Sequence, residues 1–105
     1  MVTKLTMKDF EEEAMQGDLP VLVDFYADWC GPCKMLSPIV DALSERYAGR
    51  VKFCKVNVDE DFPVAAAFGV QSIPTLVLLR NGETLEKSVG LLTESELSTL
   101  LDRAI

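Results

Sequence analysis

Apolar positions change their period several times along the chain, and each change marks a boundary between a strand-like and a helix-like segment. Val2 to Leu5 reads as a short strand. Thr6, with Asp9 three residues on, resembles a helix N-cap, and Met7, Phe10 and Ala14 then recur at helical spacing up to Gly17. Pro20 to Ala27 is dense in Val, Leu, Phe and Tyr, which predicts a strand buried on both faces and therefore central in its sheet. Beyond Cys33, the residues Ile39, Val40, Leu43 and Tyr47 follow Leu36 by three, four, seven and eleven positions. This is the buried stripe of the longest helix, expected to kink at Pro38 and to stop at Gly49.

The second half continues the alternation. Val51 to Val58 is strand-like, and Phe62 to Phe68 reads as a short alanine-rich helix with Pro63 near its start and Gly69 after its end. Thr75 to Arg80 and Thr84 to Val89 flank Asn81-Gly82, the strongest short signal for a type I′ hairpin, so these two strands should be antiparallel. Thr93 with Glu96 forms a capping-box pattern ahead of Leu97, Leu100, Leu101 and Ala104, an amphipathic closing helix. The order βαβαβαββα predicts an α/β fold, a mixed sheet with helices on both faces. No repeat, low-complexity tract or linker interrupts it, so residues 1–105 are expected to form one domain.

Composition narrows the function. Hydrophobic residues make up 49% and charged residues 26%, a globular balance far from that of disorder. The net charge of −7, from 10 basic and 17 acidic residues, opposes attraction to phosphate backbones or anionic lipid, so neither nucleic acid nor membrane is an expected partner. No apolar run approaches the roughly 20 residues of a bilayer span, and Met1 to Asp9 lacks a signal-peptide pattern. A cytoplasmic monomer is the expectation.

There are three cysteines and no histidine, which removes Cys-His nucleophile pairs, imidazole acid–base chemistry and histidine metal ligation together. Thiols and carboxylates remain. Cys30 and Cys33 stand three apart where the central strand ends and the long helix begins. A helix start presents unpaired N–H groups and the positive end of the macrodipole, which favour a thiolate, so Cys30 is the expected nucleophile. Cys33, one turn on, has its sulfur on the same side and within disulfide reach. Half of a zinc site is the alternative, but only Cys54 remains as a further sulfur ligand. Cys54 itself reads either as a small buried hydrophobe or as a regulatory thiol.

Asp24 interrupts an otherwise apolar strand. Burial would raise its pKa and let it hold or release a proton near neutrality, though a structural hydrogen-bonding role is also open. Trp29 suits either the core or a flat apolar platform beside the nucleophile. Period-2 alternation groups Lys55 with Phe53 and Asn57 without deciding its burial.

Val21 to Lys34, which contains Trp29-Cys30-Gly31-Pro32-Cys33, resembles the active-site segment of the thioredoxin family, and Ile73-Pro74-Thr75 resembles its second signature. The likeness runs from end to end and includes Asn81-Gly82 and Gly90, with bacterial-type members nearest in pattern. Tyr26, where bacterial members often carry tryptophan, and Ser72, where many have glycine or threonine, depart from it.

The resemblance implies the thioredoxin fold, with a five-stranded mixed sheet flanked by four helices, and a protein-disulfide reductase cycling between the Cys30 and Cys33 dithiol and its disulfide. It implies that Asp24 accepts the proton of Cys33, with Lys55 as its charged partner. X-Pro bonds are mostly trans, and the resemblance reverses that expectation for Pro74. Trp29, Gly31, Pro32, Ile73, Pro74 and Gly90 become substrate-binding positions, with the Ile73 backbone free to pair with a client chain. The Gly-Pro pair between the cysteines resembles the reducing members. No bound cofactor or metal is implied. The partners would be client proteins with disulfides and a thioredoxin reductase, either a flavoenzyme drawing on NADPH or a ferredoxin-linked enzyme. The rival readings are an oxidase or isomerase on the same fold and a non-catalytic binding module.

Overall fold

The computed structural model describes residues 1–105. In chain order it contains β1 (Val2–Lys4), α1 (Phe10–Ala14), β2 (Val21–Tyr26), α2 (Gly31–Arg46), β3 (Lys52–Asn57), α3 (Phe62–Ala67), β4 (Thr75–Arg80), β5 (Glu83–Val89) and α4 (Glu94–Ala104). The five strands lie in the order β1-β3-β2-β4-β5. β3 runs parallel to both β1 and β2, whereas β4 is antiparallel to β2 and to β5, so the sheet is mixed and β2 is its centre.

Side-chain alternation divides the core into two layers. Val21, Val23 and Phe25 of β2 pack with Cys54 and Val56 of β3, Val77 and Leu79 of β4, and the inner residues of α1 and α3. Leu22 joins Phe53, Leu76 and Leu78 on the other face, against Leu36, Val40 and Leu43 of α2 and Leu97, Leu100 and Leu101 of α4. Asp24, two residues after Leu22, is thereby turned toward α2. The far end of α2 is tied down by the buried Tyr47, whose hydroxyl donates to Asp102 Oδ1 at 2.6 Å.

Most predicted elements are present. β5 begins at Glu83, and Asn81 and Gly82 carry φ of +51° and +79°, the left-handed pair a type I′ turn requires. Gly49, at φ +83°, stands just after the end of α2. Pro38 falls inside α2, which continues through it to Arg46.

The first helix is shorter than predicted. The turn from Thr6 to Asp9 keeps the expected cap, with the Asp9 carboxylate accepting the Thr6 N–H at 2.7 Å and the Phe10 N–H donating to the Thr6 carbonyl at 3.0 Å, but regular helix begins only at Phe10. Met7 lies on that turn, 53% exposed, rather than on a buried helical stripe. At the other terminus the capping box is complete: the Glu96 N–H donates to Thr93 Oγ1 at 3.1 Å and the Thr93 N–H to Glu96 Oε1 at 2.9 Å. These bonds hold the Glu96 carboxyl below its usual range. A Thr93→Ala substitution should lower stability by about 1 kcal/mol, visible as an earlier urea midpoint with an unchanged slope.

Candidate active site

The chain leaves the carboxyl end of β2, turns through Ala27 to Trp29, and enters α2 at Cys30, whose extended backbone (φ −83°, ψ 113°) makes it the N-cap. An N-cap side chain normally offers oxygen to an unpaired amide of the first turn. Here sulfur takes that place, and the Cys33 N–H points at Cys30 Sγ across 3.2 Å. Pro32, in the first turn, lacks the amide that would otherwise want a partner there. Cys30 and Cys33 are joined in a disulfide with their Cα atoms 5.2 Å apart, and both are buried. When the bond opens, a charge on Cys30 sulfur meets a directed N–H and the positive end of a 16-residue helix.

Across from Cys30 lies the loop before β4. The Ile73-Pro74 bond is cis, and the Ile73 carbonyl oxygen stands 3.8 Å from Cys30 Sγ. Pro74 is buried, and its carbonyl accepts the Gly90 N–H at 2.8 Å. Ile73, Trp29, Gly31 and Pro32 line an open groove of about 540 Å³ that also contains Cys30. Gly90 is joined to this region through its bond to Pro74 and the pairing of Val89 with Thr75, and neither Pro74 nor Gly90 lines the groove. A Cβ added at Gly31 would meet nothing within 4 Å, so that wall is open to an incoming chain.

Trp29 is 70% exposed, which removes the core reading, and its indole N–H donates to Asp59 Oδ2 at 2.8 Å. Phe62 adds a second exposed aromatic ring to the same groove, beside Val58 and Val70. Sequence reasoning placed Phe62 in a helix without assigning it to the site. The available signal was its position ahead of Pro63, off the stripe formed by Val64 and Ala65.

Behind the disulfide, Asp24 is only 5% exposed, and its Oδ1 has no hydrogen-bond partner. Burial pushes its pKa up to about 7, against a downward pull from the Lys55 ammonium and a smaller upward push from Asp41. Asp24 and Lys55 are register partners on the parallel strands β2 and β3. A cavity of about 190 Å³ connects Asp24, Lys55 and Cys33, with Ser37 and Lys34 of α2 also on its wall. It has room for water between carboxyl and sulfur. Lys55 is half-buried, so it is no freely solvated surface lysine. Cys54 points to the opposite face of the sheet, where burial pushes its thiol up to about 11, as expected of a small core residue. No group of three or more His, Cys, Asp or Glu side chains is arranged to hold a metal ion.

A helix-capping thiol in reach of a second thiol, with a buried carboxyl behind and an apolar groove in front, defines a dithiol–disulfide oxidoreductase. Comparison with known proteins makes the class specific. The thioredoxin family model matches residues 1–103. The chain is 45% identical over 97 residues to a thioredoxin of Haemophilus influenzae, covering 92% of this chain and 91% of the relative. It is 43% identical over 105 residues to a thioredoxin of Rickettsia felis, covering all of both chains. Against a thioredoxin of the alga Porphyra purpurea it is 43% identical over 104 residues, 99% and 97% of the two. The chain belongs to the thioredoxin family. Its activity is the reduction of protein disulfides through Cys30 and Cys33. No helix is long and apolar enough to cross a membrane.

Proposed function

We propose that this chain works as one domain and carries electrons, two at a time, from a thioredoxin reductase to disulfides in client proteins, with the residues of its site in the following roles. The observation that carries the reading is the placement of Cys30 sulfur between the α2 N-terminus and the Ile73 carbonyl, with Asp24 reached through Cys33. Cys30 thiolate attacks one sulfur of the client disulfide. A Cys30–client bond forms, the client bond breaks, and the other client sulfur leaves as a thiolate that takes up a proton.

Cys33 then gives its proton to the Asp24 carboxylate and attacks Cys30 sulfur. The Cys30–Cys33 bond forms and the second client sulfur departs as a thiolate that takes up the proton held by Asp24, so the client gains two electrons and two protons in all and the carboxylate is restored. Lys55 holds positive charge near the carboxylate form of Asp24. Trp29, Gly31, Pro32 and Ile73 receive the client chain, and its backbone pairs with that of Ile73. Pro74 and Gly90 hold the Ile73 loop in place. The redox centre is the cysteine pair itself, which needs no bound cofactor, and the reductase restores the dithiol. A monomer fits the net charge of −7, and the cytoplasm fits a functional thiol pair in place of a structural disulfide framework.

Insulin reduction driven by dithiothreitol tests the activity: the protein should accelerate precipitation of the insulin B chain catalytically, and Cys30→Ser should abolish the acceleration. An inert wild-type protein would reduce the reading to a binding scaffold. Coupling the same assay to an NADPH-dependent flavoenzyme reductase, and separately to a ferredoxin-linked one, identifies the electron donor.

A further inference from the structure

Tyr26 ends β2 and is the next residue after Asp24 on the α2 side of the sheet. Its ring lies under the Lys55 side chain, with Nζ 5.6 Å from the ring centroid. No carboxylate lies within ion-pair distance of that ammonium, whereas the neighbouring Lys4 on β1 is paired with Glu60 at 2.7 Å. Tyr26, Asp24, Lys55 and Cys33 border one cavity. The aromatic face is therefore the one charge-binding partner the structure places against that ammonium.

We propose that Tyr26 is a positioning residue for the resolving step: its ring holds the Lys55 ammonium beside Asp24, where it favours the carboxylate form that accepts the proton of Cys33. This rests on the proton-accepting role of Asp24 given above. The charges facing this corner are few. Asp41 and Lys34 come from α2, Lys55 from β3, Lys4 from β1, and Asp28 and Glu60 from the flanking loops. Lys4 is occupied by Glu60, and Asp41 acts on Asp24 in the direction opposite to Lys55. Lys55 is thus the cation whose position counts most, and Tyr26 is the side chain that limits its freedom.

The test follows the Asp24 carboxyl by carbon-13 NMR titration in the oxidised protein, which reads the carboxyl whether or not it serves in the reaction. Tyr26→Phe keeps the ring and should titrate as the parent does. Tyr26→Leu should titrate about half a pH unit higher, the size of a lost cation–π restraint at a partly exposed site. In a Lys55→Met background, Tyr26→Leu should add nothing further, because the charge it positions is gone. An unchanged midpoint in Tyr26→Leu overturns the proposal. So does an upward shift of the same size in Tyr26→Phe, or one that persists undiminished in the Lys55→Met background. Should Tyr26→Leu not fold, the pair Tyr26→Phe and Tyr26→Trp decides, since either ring must hold the midpoint at or below that of the parent, and a rise in either overturns it. Should the midpoint move as expected while the pH dependence of client release stays put, the positioning stands and the role of Asp24 as proton acceptor fails.

Discussion

A Cys33→Ser variant accumulates as a covalent complex with its client, seen on a non-reducing gel and dissolved by dithiothreitol. The expectation follows from the division of labour at the α2 N-terminus. Cys30 keeps the cap geometry that favours its thiolate, because the bond it accepts comes from the backbone amide of residue 33 and not from a side chain. It can still attack. Serine at position 33 has too high a pKa and too little affinity for sulfur to displace the client, so the mixed disulfide persists. Multiple-turnover insulin reduction should fall by at least on the order of 1,000-fold, as when one member of a cooperating catalytic set is removed. In the Cys30→Ser variant neither complex nor turnover is expected. A Cys33→Ser protein that cycles at more than a few per cent of the parental rate would refute the resolving role.

An Asp24→Asn variant is expected to be more stable than the parent at pH 8, by up to about 4 kcal/mol. The figure is the interval between the ordinary carboxyl value of 3.8 and the folded value of about 7, taken at about 1.4 kcal/mol per pH unit. The sign follows from proton counting. Between those two values the folded protein holds a proton that the unfolded chain has already released, so stability declines as the pH rises through the window and levels off above it. Asparagine carries no such cost. Guanidinium unfolding of the oxidised proteins at pH 8 and pH 4 should show a large gain at the first and almost none at the second. Equal gains at both would mean that the effect comes from packing and not from a buried charge. The same substitution should slow client release, since the proton of Cys33 loses its acceptor. A buried carboxylate retained at such a cost to stability is in keeping with a catalytic group.

Elements stabilised by their nearest neighbours were legible before any coordinates. The Asn81-Gly82 turn, the Thr93 to Glu96 box and the cysteine pair at a strand-to-helix junction each depend on residues within a single turn of chain. The cap ahead of α1 was legible for the same reason: Asp9 reaches back to the Thr6 amide as the spacing suggests, and the Phe10 N–H donates to the Thr6 carbonyl. The length of α1 was not, because the residues between Thr6 and Phe10 form a turn that leaves Met7 exposed. Phe62 escaped notice because an exposed aromatic differs from a core one only in what surrounds it.

By itself the sequence determined the order of elements, the central place of β2 and the chemistry open to a chain with a Cys-X-X-Cys pair and no histidine. These follow from periodicity, composition and short-range reach. Tertiary structure decided the rest. It brought the Ile73 carbonyl, 43 residues along the chain, against Cys30 sulfur, and it set Lys55 beside Asp24 through the register of two parallel strands. Burial and electric field at a side chain are sums over neighbours that the chain supplies from distant segments. The proton affinity of Asp24 and the shape of the client groove therefore exist only once those segments have packed.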